Sequence, residues 1–526
     1  MATQRDVLII GAGHNALVTA FYLAKAGHKP LLLERRNEVG GCAITNEFHP
    51  GFKCSTLAHA TGPLAAGIAQ EMSLAQHGLQ MIEPDPRVFA PSPDGRALVL
   101  HNDAARSAQS IAQFSQKDGA AYPEYCRTIE RFTSVLGQIL SLTPPDIGEP
   151  SAGDVWKLLP IGRKFRSLGR AEMFRLLRWG PMCVADLVSE FFENELVRAT
   201  IGARGVFGAN LGPWSAGSAL LLLLRAASDP HPGGSSAFPR GGVGALTQAM
   251  AAAAKAAGAE IRTNAPVAQI LVKSGVAVGV VLEGGEEIHA RAVISGADPK
   301  HTLLVLVDAA HLEPNFATKM RNFRVKGVSA KVNLALDSLP KFTAAADSAL
   351  LAGRIHIGHE IDYIERAFDH SKYGEFAPHP YLDVMIPSLS DSTLAPSGKH
   401  VMSVYMQYAP PKLKEGSWDS KRDALGDAVV NTLAQFAPDL PGKILHRQVI
   451  TPGDLQQTYG LTGGHIFHGE QALDQVFTMR PVLRWARYST PIRNLFLCGS
   501  GTHPGTGLNG ASGRNAAREI AAALRA

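Results

Sequence analysis

Residues 6–42, DVLIIGAGHNALVTAFYLAKAGHKPLLLERRNEVGGC, read as a strand, a glycine turn, a helix and a second strand. Val7 to Ile10 is a short apolar run of the kind that makes a buried strand. It enters Gly11-Ala12-Gly13-His14-Asn15-Ala16, a G-x-G-x-x-A pattern. Gly11 permits a tight turn, Gly13 lets a pyrophosphate approach the backbone, and Ala16 lets the following helix pack closely on the strand. The free N–H groups and positive dipole end of that helix form an anion site, while Leu17, Phe21 and Ala24 recur at helical spacing. Gly27 ends the helix, and Leu31 to Leu33 form the second strand. Glu34 stands about 20 residues beyond Gly11, the spacing of a carboxylate that binds a ribose 2′-hydroxyl and repels a 2′-phosphate. The stretch is a dinucleotide-binding unit.

The residues after this second strand separate flavin from nicotinamide. Glu34-Arg35-Arg36-Asn37-Glu38-Val39-Gly40-Gly41 resembles the E-R-x-x-x-x-G-G extension of the flavoprotein amine oxidase and phytoene desaturase superfamily. The resemblance implies FAD as cofactor, with Gly40 and Gly41 near its pyrophosphate and His14, Asn15, Arg35 and Arg36 among its contacts. It also implies an α/β Rossmann-type FAD-binding domain of the glutathione reductase-like kind, interleaved with an α+β substrate domain.

Further matches lie along the chain. Pro239 to Leu246 is similar to the P-x-G-G-x-x-x-L segment of phytoene desaturase-like enzymes, and Val267 matches the strand that touches adenine. Ser295-Gly296-Ala297-Asp298-Pro299 looks like the end of that segment. In residues 494–520, NLFLCGSGTHPGTGLNGASGRNAAREI, the strand Leu495 to Leu497 delivers Gly499 and Ser500, and a helix begins near Asn509, Gly510 and Ala511. The resemblance aims that helix N-terminus at the flavin, where positive dipole ends favour a reduced, anionic ring. With residues 459–469, YGLTGGHIFHG, and Arg480-Pro481, the likeness narrows to the pyridine nucleotide-disulphide oxidoreductase domain-containing protein 2 family and its carotenoid-ketolase relatives. Neither a C-x-x-C nor a second nicotinamide fingerprint is present, which argues against disulphide reductase chemistry.

At 526 residues the chain exceeds one typical core. The expected division is 1–75, 230–300 and 470–526 for FAD, and 76–229 and 301–469 for a substrate domain with a helical cap. A hydrophobic content of 45% is ordinary for a globular protein, and a net charge of +5 is too small to imply nucleic-acid binding. Five scattered cysteines fit a reducing compartment. Met1 to Asp6 runs straight into the first strand without a signal segment, so a cytoplasmic location is expected, or a mitochondrial one in a eukaryote.

The remaining candidates carry a plain reading beside a functional one. Glu47 to Pro63 reads as a loop, and its His59 is the candidate catalytic residue, although a lone loop histidine is more often a hydrogen-bonding one. Val88 to Pro91 and Ala97 to Leu100 predict a hairpin, and residues 104–227 predict helices. Arg163 to Trp179 is basic and amphipathic, suited to a peripheral membrane contact or to packing on its own domain, with Gly169 interrupting it. Leu220 to Leu224 suits either core packing or a tunnel lining. Lys331 to Leu336, Leu382 to Ile386 and Val401 to Gln407 predict strands, and Asp391 to His400 a structural turn. His465, His468 and His503 lack a completing ligand cluster, so no metal is expected, and Ser500 lies outside a G-x-S-x-G frame.

Together these readings predict an FAD-dependent oxidoreductase that dehydrogenates an apolar, isoprenoid or lipid-like small molecule by hydride transfer, with oxygen, a quinone or another species as electron acceptor. A carotenoid ketolase or isomerase, or an amine oxidase, would keep the same cofactor residues, and a non-catalytic flavoprotein would bind a partner instead. Oligomeric state is not legible.

Overall fold

In the computed structural model residues 5–525 are described; the reading of the chain start at Met1 to Gln4 lies outside the described residues. Arg5–Ile10 is a central strand, and its apolar run is buried on both faces, as expected for a parallel strand covered above and below. Pro30–Leu33 pairs with it in parallel, Ile10 opposite Leu33, and Glu260–Arg262 extends that edge. On the other side Glu287–Ser295 pairs in parallel, Ile10 opposite Ser295, and carries Leu495–Leu497 beside it. The start of Glu287–Ser295 belongs instead to an antiparallel meander with Val276–Leu282 and Val267–Lys273, completing a seven-stranded sheet.

The helix His14–Lys25 lies between two others, Gly244–Ala256 and the C-terminal Ala511–Arg525. Its crossing with the C-terminal helix is close. The Gly513 N–H donates to Asn15 Oδ1 at 3.2 Å, and Thr19 Oγ1 donates to the Gly513 carbonyl at 3.0 Å. A Cβ on Gly513 would overlap the Asn15 carbonyl oxygen, so only glycine fits.

A second seven-stranded sheet has the order Ile444–Ile450, Ser329–Leu336, His400–Gln407, Tyr381–Met385, Arg354–Ile357, Val88–Pro91 and Ala97–Leu100. Its neighbours are antiparallel except Arg354–Ile357 with Val88–Pro91. Side chains alternate between faces along each strand. Val332, Leu334, Ile355, Leu382, Val384, Met402 and Val404 pack on one face with Leu425, Val429 and Leu433 of the helix Trp418–Ala434. The alternate positions Lys331, Asn333, Arg354, His356, Asp383, Ser403 and Tyr405 form a polar opposite face, most of it buried.

The predicted strands and hairpin are present, and residues 104–228 are mostly helical. One detail differs from the sequence reading, and two stretches take a form that it allowed. Part of Glu47 to Pro63 is not loop: Thr45–His49 and Phe52–Ser55 form a hairpin, because Phe52 and Cys54 alternate inward against Ala335 and Val401. Leu221, Leu222 and Leu223 are buried core residues, the first of the two readings of this run. The basic stretch is two helices, Ala152–Ser167 and Arg170–Trp179, broken at Gly169, whose φ of 82° lies in the left-handed region.

The helix crossing makes a specific prediction. Gly513→Ala lowers the apparent melting midpoint, at a cost of about 1–3 kcal/mol for forcing the helices apart. Gly162→Ala, on an exposed helical face with no atom near its Cβ, leaves the midpoint unchanged or raises it. Scanning calorimetry of the two variants checks this; equal midpoints would mean that the crossing has slack.

Candidate functional site

A continuous cavity of about 690 Å³ runs from the first glycine turn to the polar face of the second sheet. At the turn, Gly11 N–H donates to the Leu33 carbonyl at 2.8 Å and Gly40 N–H to the Ala12 carbonyl at 2.9 Å. Gly40, with φ of 123°, leaves no room for a Cβ beside Thr247 and Ala43, and a Cβ on Gly41 would lie 3.3 Å from the Gly13 Cα. The turn and the double glycine therefore form a side-chain-free cradle. Glu34, buried, accepts from Ala12 N–H at 2.8 Å and from Arg36 N–H at 3.0 Å, one bond per oxygen. Each oxygen keeps a lone pair for a ribose hydroxyl. Arg36 donates to the Gly41 carbonyl at 2.5 Å and lies 5.2 Å from the Tyr459 ring centroid, and Arg35 donates to the Thr458 carbonyl at 2.5 Å.

The second glycine loop meets the first through Asn15, whose Nδ2 donates to Ser500 Oγ at 3.1 Å. Two buried imidazole nitrogens on the cavity wall, His14 Nε2 and His468 Nδ1, have no partner among the described residues. Burial, with His468 nearby, draws the His14 pKa down to about 4, so its ring is neutral. A bare backbone cradle, a ribose-type carboxylate and unpartnered ring nitrogens fit an FAD molecule lying along this half of the cavity.

The other half is lined by Phe207, Phe467, Tyr381 and Tyr405 and by five charged groups, Arg204, Arg225, Arg354, Asp229 and Asp383. Phe207 stacks on Tyr405 with centroids 4.4 Å apart. Asp383 pairs with Arg354 at 3.0 Å and with His59 Nε2 at 3.2 Å. Burial pushes the Asp383 pKa up, but Arg354 and His59 outweigh it and hold the carboxyl below its usual range. Burial lowers the His59 pKa despite Asp383, so its ring is neutral. Its Nδ1 faces Ser403 Oγ at 3.3 Å, which leaves neither nitrogen free for a substrate proton.

Of the residues singled out from sequence, Gly11, Gly13, His14, Asn15, Ala16, Glu34, Arg35, Arg36, Gly40, Gly41, His59, Val267, Gly499, Ser500 and Asn509 line this cavity. Gly510 and Ala511 stand behind its wall; Gly510 packs near Ile68 and Val18, and the Ala511 N–H is capped by Asn509 Oδ1 at 3.0 Å. His465 and His503 are buried, and His503 Nε2 contacts the Ile139 carbonyl at 3.0 Å. Sequence reasoning missed the arginines, Asp229, Asp383 and the aromatic lining. For Asp383 a signal existed: a carboxylate within the otherwise apolar strand Tyr381–Met385.

Lys331 supports this wall from behind. Fully buried, it donates to the carbonyls of Ser55 at 3.2 Å and Leu57 at 2.8 Å, and burial lowers its pKa from 10.5 to about 8. Between those values the unfolded chain binds the extra proton, so this lysine makes stability rise with pH. Relative to Lys331→Met, the wild type gains roughly 3 kcal/mol between pH 8 and 10.5. Parallel denaturant titrations of both proteins check this; a pH-independent difference would overturn it.

Comparison with known proteins places this geometry. The family described as flavin containing amine oxidoreductase matches residues 17–521. Pyridine nucleotide-disulfide oxidoreductase domain-containing protein 2 of Rattus norvegicus is 36% identical over 98% of this chain and 93% of that protein. A limonene dehydrogenase subunit of Castellaniella defragrans is 27% identical over 98% and 94% of the two chains. A solved structure of putrescine oxidase bound to putrescine shares the fold, with a TM-score of 0.59 across 99% of each chain and 17% identity. The cofactor is FAD, and the chain belongs to the flavin containing amine oxidoreductase family, among the FAD-dependent oxidoreductases related to pyridine nucleotide-disulfide oxidoreductase domain-containing protein 2.

Proposed function

We propose that this enzyme dehydrogenates a lipid-like substrate, apolar along most of its length, leaving a carbon–carbon double bond. The observation that carries this reading is the continuity of the cavity from the glycine cradle to the aromatic half formed by Phe207, Tyr381, Tyr405 and Phe467. FAD, when bound, supplies a hydride acceptor. The rings line the pocket and hold an apolar body in place. A proton must also leave the neighbouring carbon. With both nitrogens of His59 engaged, its role here is to position Asp383, and the proton passes to solvent. The two electrons would leave to an external acceptor such as oxygen or a quinone. The likeness to the limonene dehydrogenase subunit supports oxidation at a hydrocarbon carbon. An amine is less well suited: the position that an ammonium would take between aromatic faces holds Arg225, 5.7 Å from the centroids of both Phe207 and Phe467.

Mixing the holoprotein anaerobically with fractionated cellular lipid bleaches the flavin bands in this reading, with an unsaturated product recovered from the active fraction. Bleaching by NADPH alone would point to a ketolase or isomerase, and bleaching by amines alone to an amine oxidase.

We also propose that the substrate is drawn from an anionic membrane surface. No described helix is long and apolar enough to cross a bilayer. However, in Ala152–Ser167 only Asp154 is buried, and Trp156 is 72% exposed. Phe174 and Leu177 on the next helix are 59% and 60% exposed, among Arg163, Lys164, Arg166, Arg170 and Arg178. Exposed apolar side chains on a helix pair that also carries exposed cations suit an anionic interface, although Arg178 is paired with Glu190 at 2.6 Å. Vesicles containing phosphatidylserine co-float with the wild type, but not with Trp156→Ser/Leu177→Ser; equal flotation with neutral vesicles would sink the electrostatic part.

A further inference from the structure

Buried guanidinium groups among the described residues are almost all accounted for. Arg480 donates to six backbone carbonyls. Arg354 leaves its Nε without a partner but pairs with the Asp383 carboxylate at 3.0 Å. Arg204 lies 3.9 Å from the Asp229 carboxylate and donates to the Asp229 carbonyl at 2.9 Å.

Arg225 differs. It projects from the last turn of the helix Ser218–Ser228 into the cavity, between the rings of Phe207 and Phe467. Its Nη1 donates to the Arg204 carbonyl, whereas its buried Nη2 has no partner among the described residues. Unlike Arg204 and Arg354, it forms no ion pair with a carboxylate among the described residues. An unpaired buried guanidinium is costly, and its persistence beside a cavity points to a partner absent from the protein.

We propose that Arg225, with Arg204 beside it, anchors a carboxylate at one end of the substrate, so that the enzyme acts on a lipid-like carboxylic acid. The assignment deepens the dehydrogenase reading and rests on it for the apolar body of that substrate. A carboxylate rather than a phosphate follows from the charge in this half of the cavity. Arg204, Arg225 and Arg354 face Asp229 and Asp383, an excess of one positive charge, which a monoanion cancels and a dianion overshoots.

The test uses the FAD-loaded wild type, titrated at pH 7.5 with octanoate, 1-octanol and octyl phosphate while the flavin absorption is followed. Octanoate is expected to bind saturably, at least about tenfold more tightly than octanol and more tightly than octyl phosphate. Arg225→Met is expected to lose at least about tenfold in octanoate affinity with octanol binding unchanged, and Arg225→Lys to recover part of the loss. The wild-type contrast stands whether or not a variant folds. Equal affinity for octanoate and octanol overturns the anchor, as does unchanged octanoate binding in Arg225→Met. Loss of FAD from a folded Arg225→Met protein would assign the guanidinium to the cofactor and also overturn it. Tighter octyl phosphate binding overturns the choice of anion. If octanoate binds as expected while no lipid fraction bleaches the flavin, the anchor is supported and the dehydrogenase reading fails.

Discussion

The cavity wall hangs on one buried cation. Arg480 is fully enclosed and pairs with backbone rather than with a carboxylate; its guanidinium gathers the carbonyls of Phe467, Gly469, Glu470, Gln475, Ser500 and Thr502. Five N–H donors in a rigid fork can satisfy several carbonyls at once, which a lysine cannot do. Two otherwise separate segments are thereby fixed to each other: the one bearing Phe467 and His468, and the glycine loop bearing Ser500. Asn15 continues the link by holding Ser500 with one end of its amide and Gly513 with the other. The first helix, the C-terminal helix and the aromatic wall are therefore joined in a single hydrogen-bonded network.

Backbone carbonyls also carry the second buried cation, Lys331, which ties the Ser55–Leu57 segment to the second sheet. That segment continues into His59, so the position of the imidazole depends on a lysine that does not itself line the cavity. Desolvation is unfavourable for each of these charges. Arg480 and Lys331 offset it with carbonyl dipoles and Arg354 with a carboxylate, whereas Arg225 has a single carbonyl and no ion-paired carboxylate among the described residues. The difference between structural and ligand-directed cations thus lies in their partners rather than in their burial.

How much of this is legible in the sequence depends on the range of the interaction. The dinucleotide unit is legible because strand, turn, helix and Glu34 are contiguous, and their meaning is carried by small residues that admit close backbone approach. The C-terminal strand and helix are legible for the same reason. Phe52 and Cys54 escape notice because their alternation is short and becomes apolar only against Ala335 and Val401, far along the chain. Arg225 is hidden by its leucine-rich helix: Leu221 to Leu223 announce core, and no local pattern shows that the next turn faces a cavity. Asp383 is the intermediate case, since a carboxylate inside an apolar strand is visible, but its partners Arg354 and His59 come from distant segments.

The second sheet shows how one fold separates stability from chemistry. Because side chains alternate strictly, the same strands can give all their odd or even positions to a dry core and the rest to a polar face. The apolar face on Trp418–Ala434 supplies the burial that holds the sheet against its helix. That leaves the opposite face able to carry Arg354, His356, Asp383 and Tyr405, side chains whose burial would be destabilising on their own. A one-residue slip in any of these strands would exchange the faces, placing Leu382 and Val384 in the cavity and Asp383 in the core. Register is therefore the constraint through which sheet packing and cavity chemistry are bound together, and the long pairing of the interior strands Ser329–Leu336 and His400–Gln407 supports it.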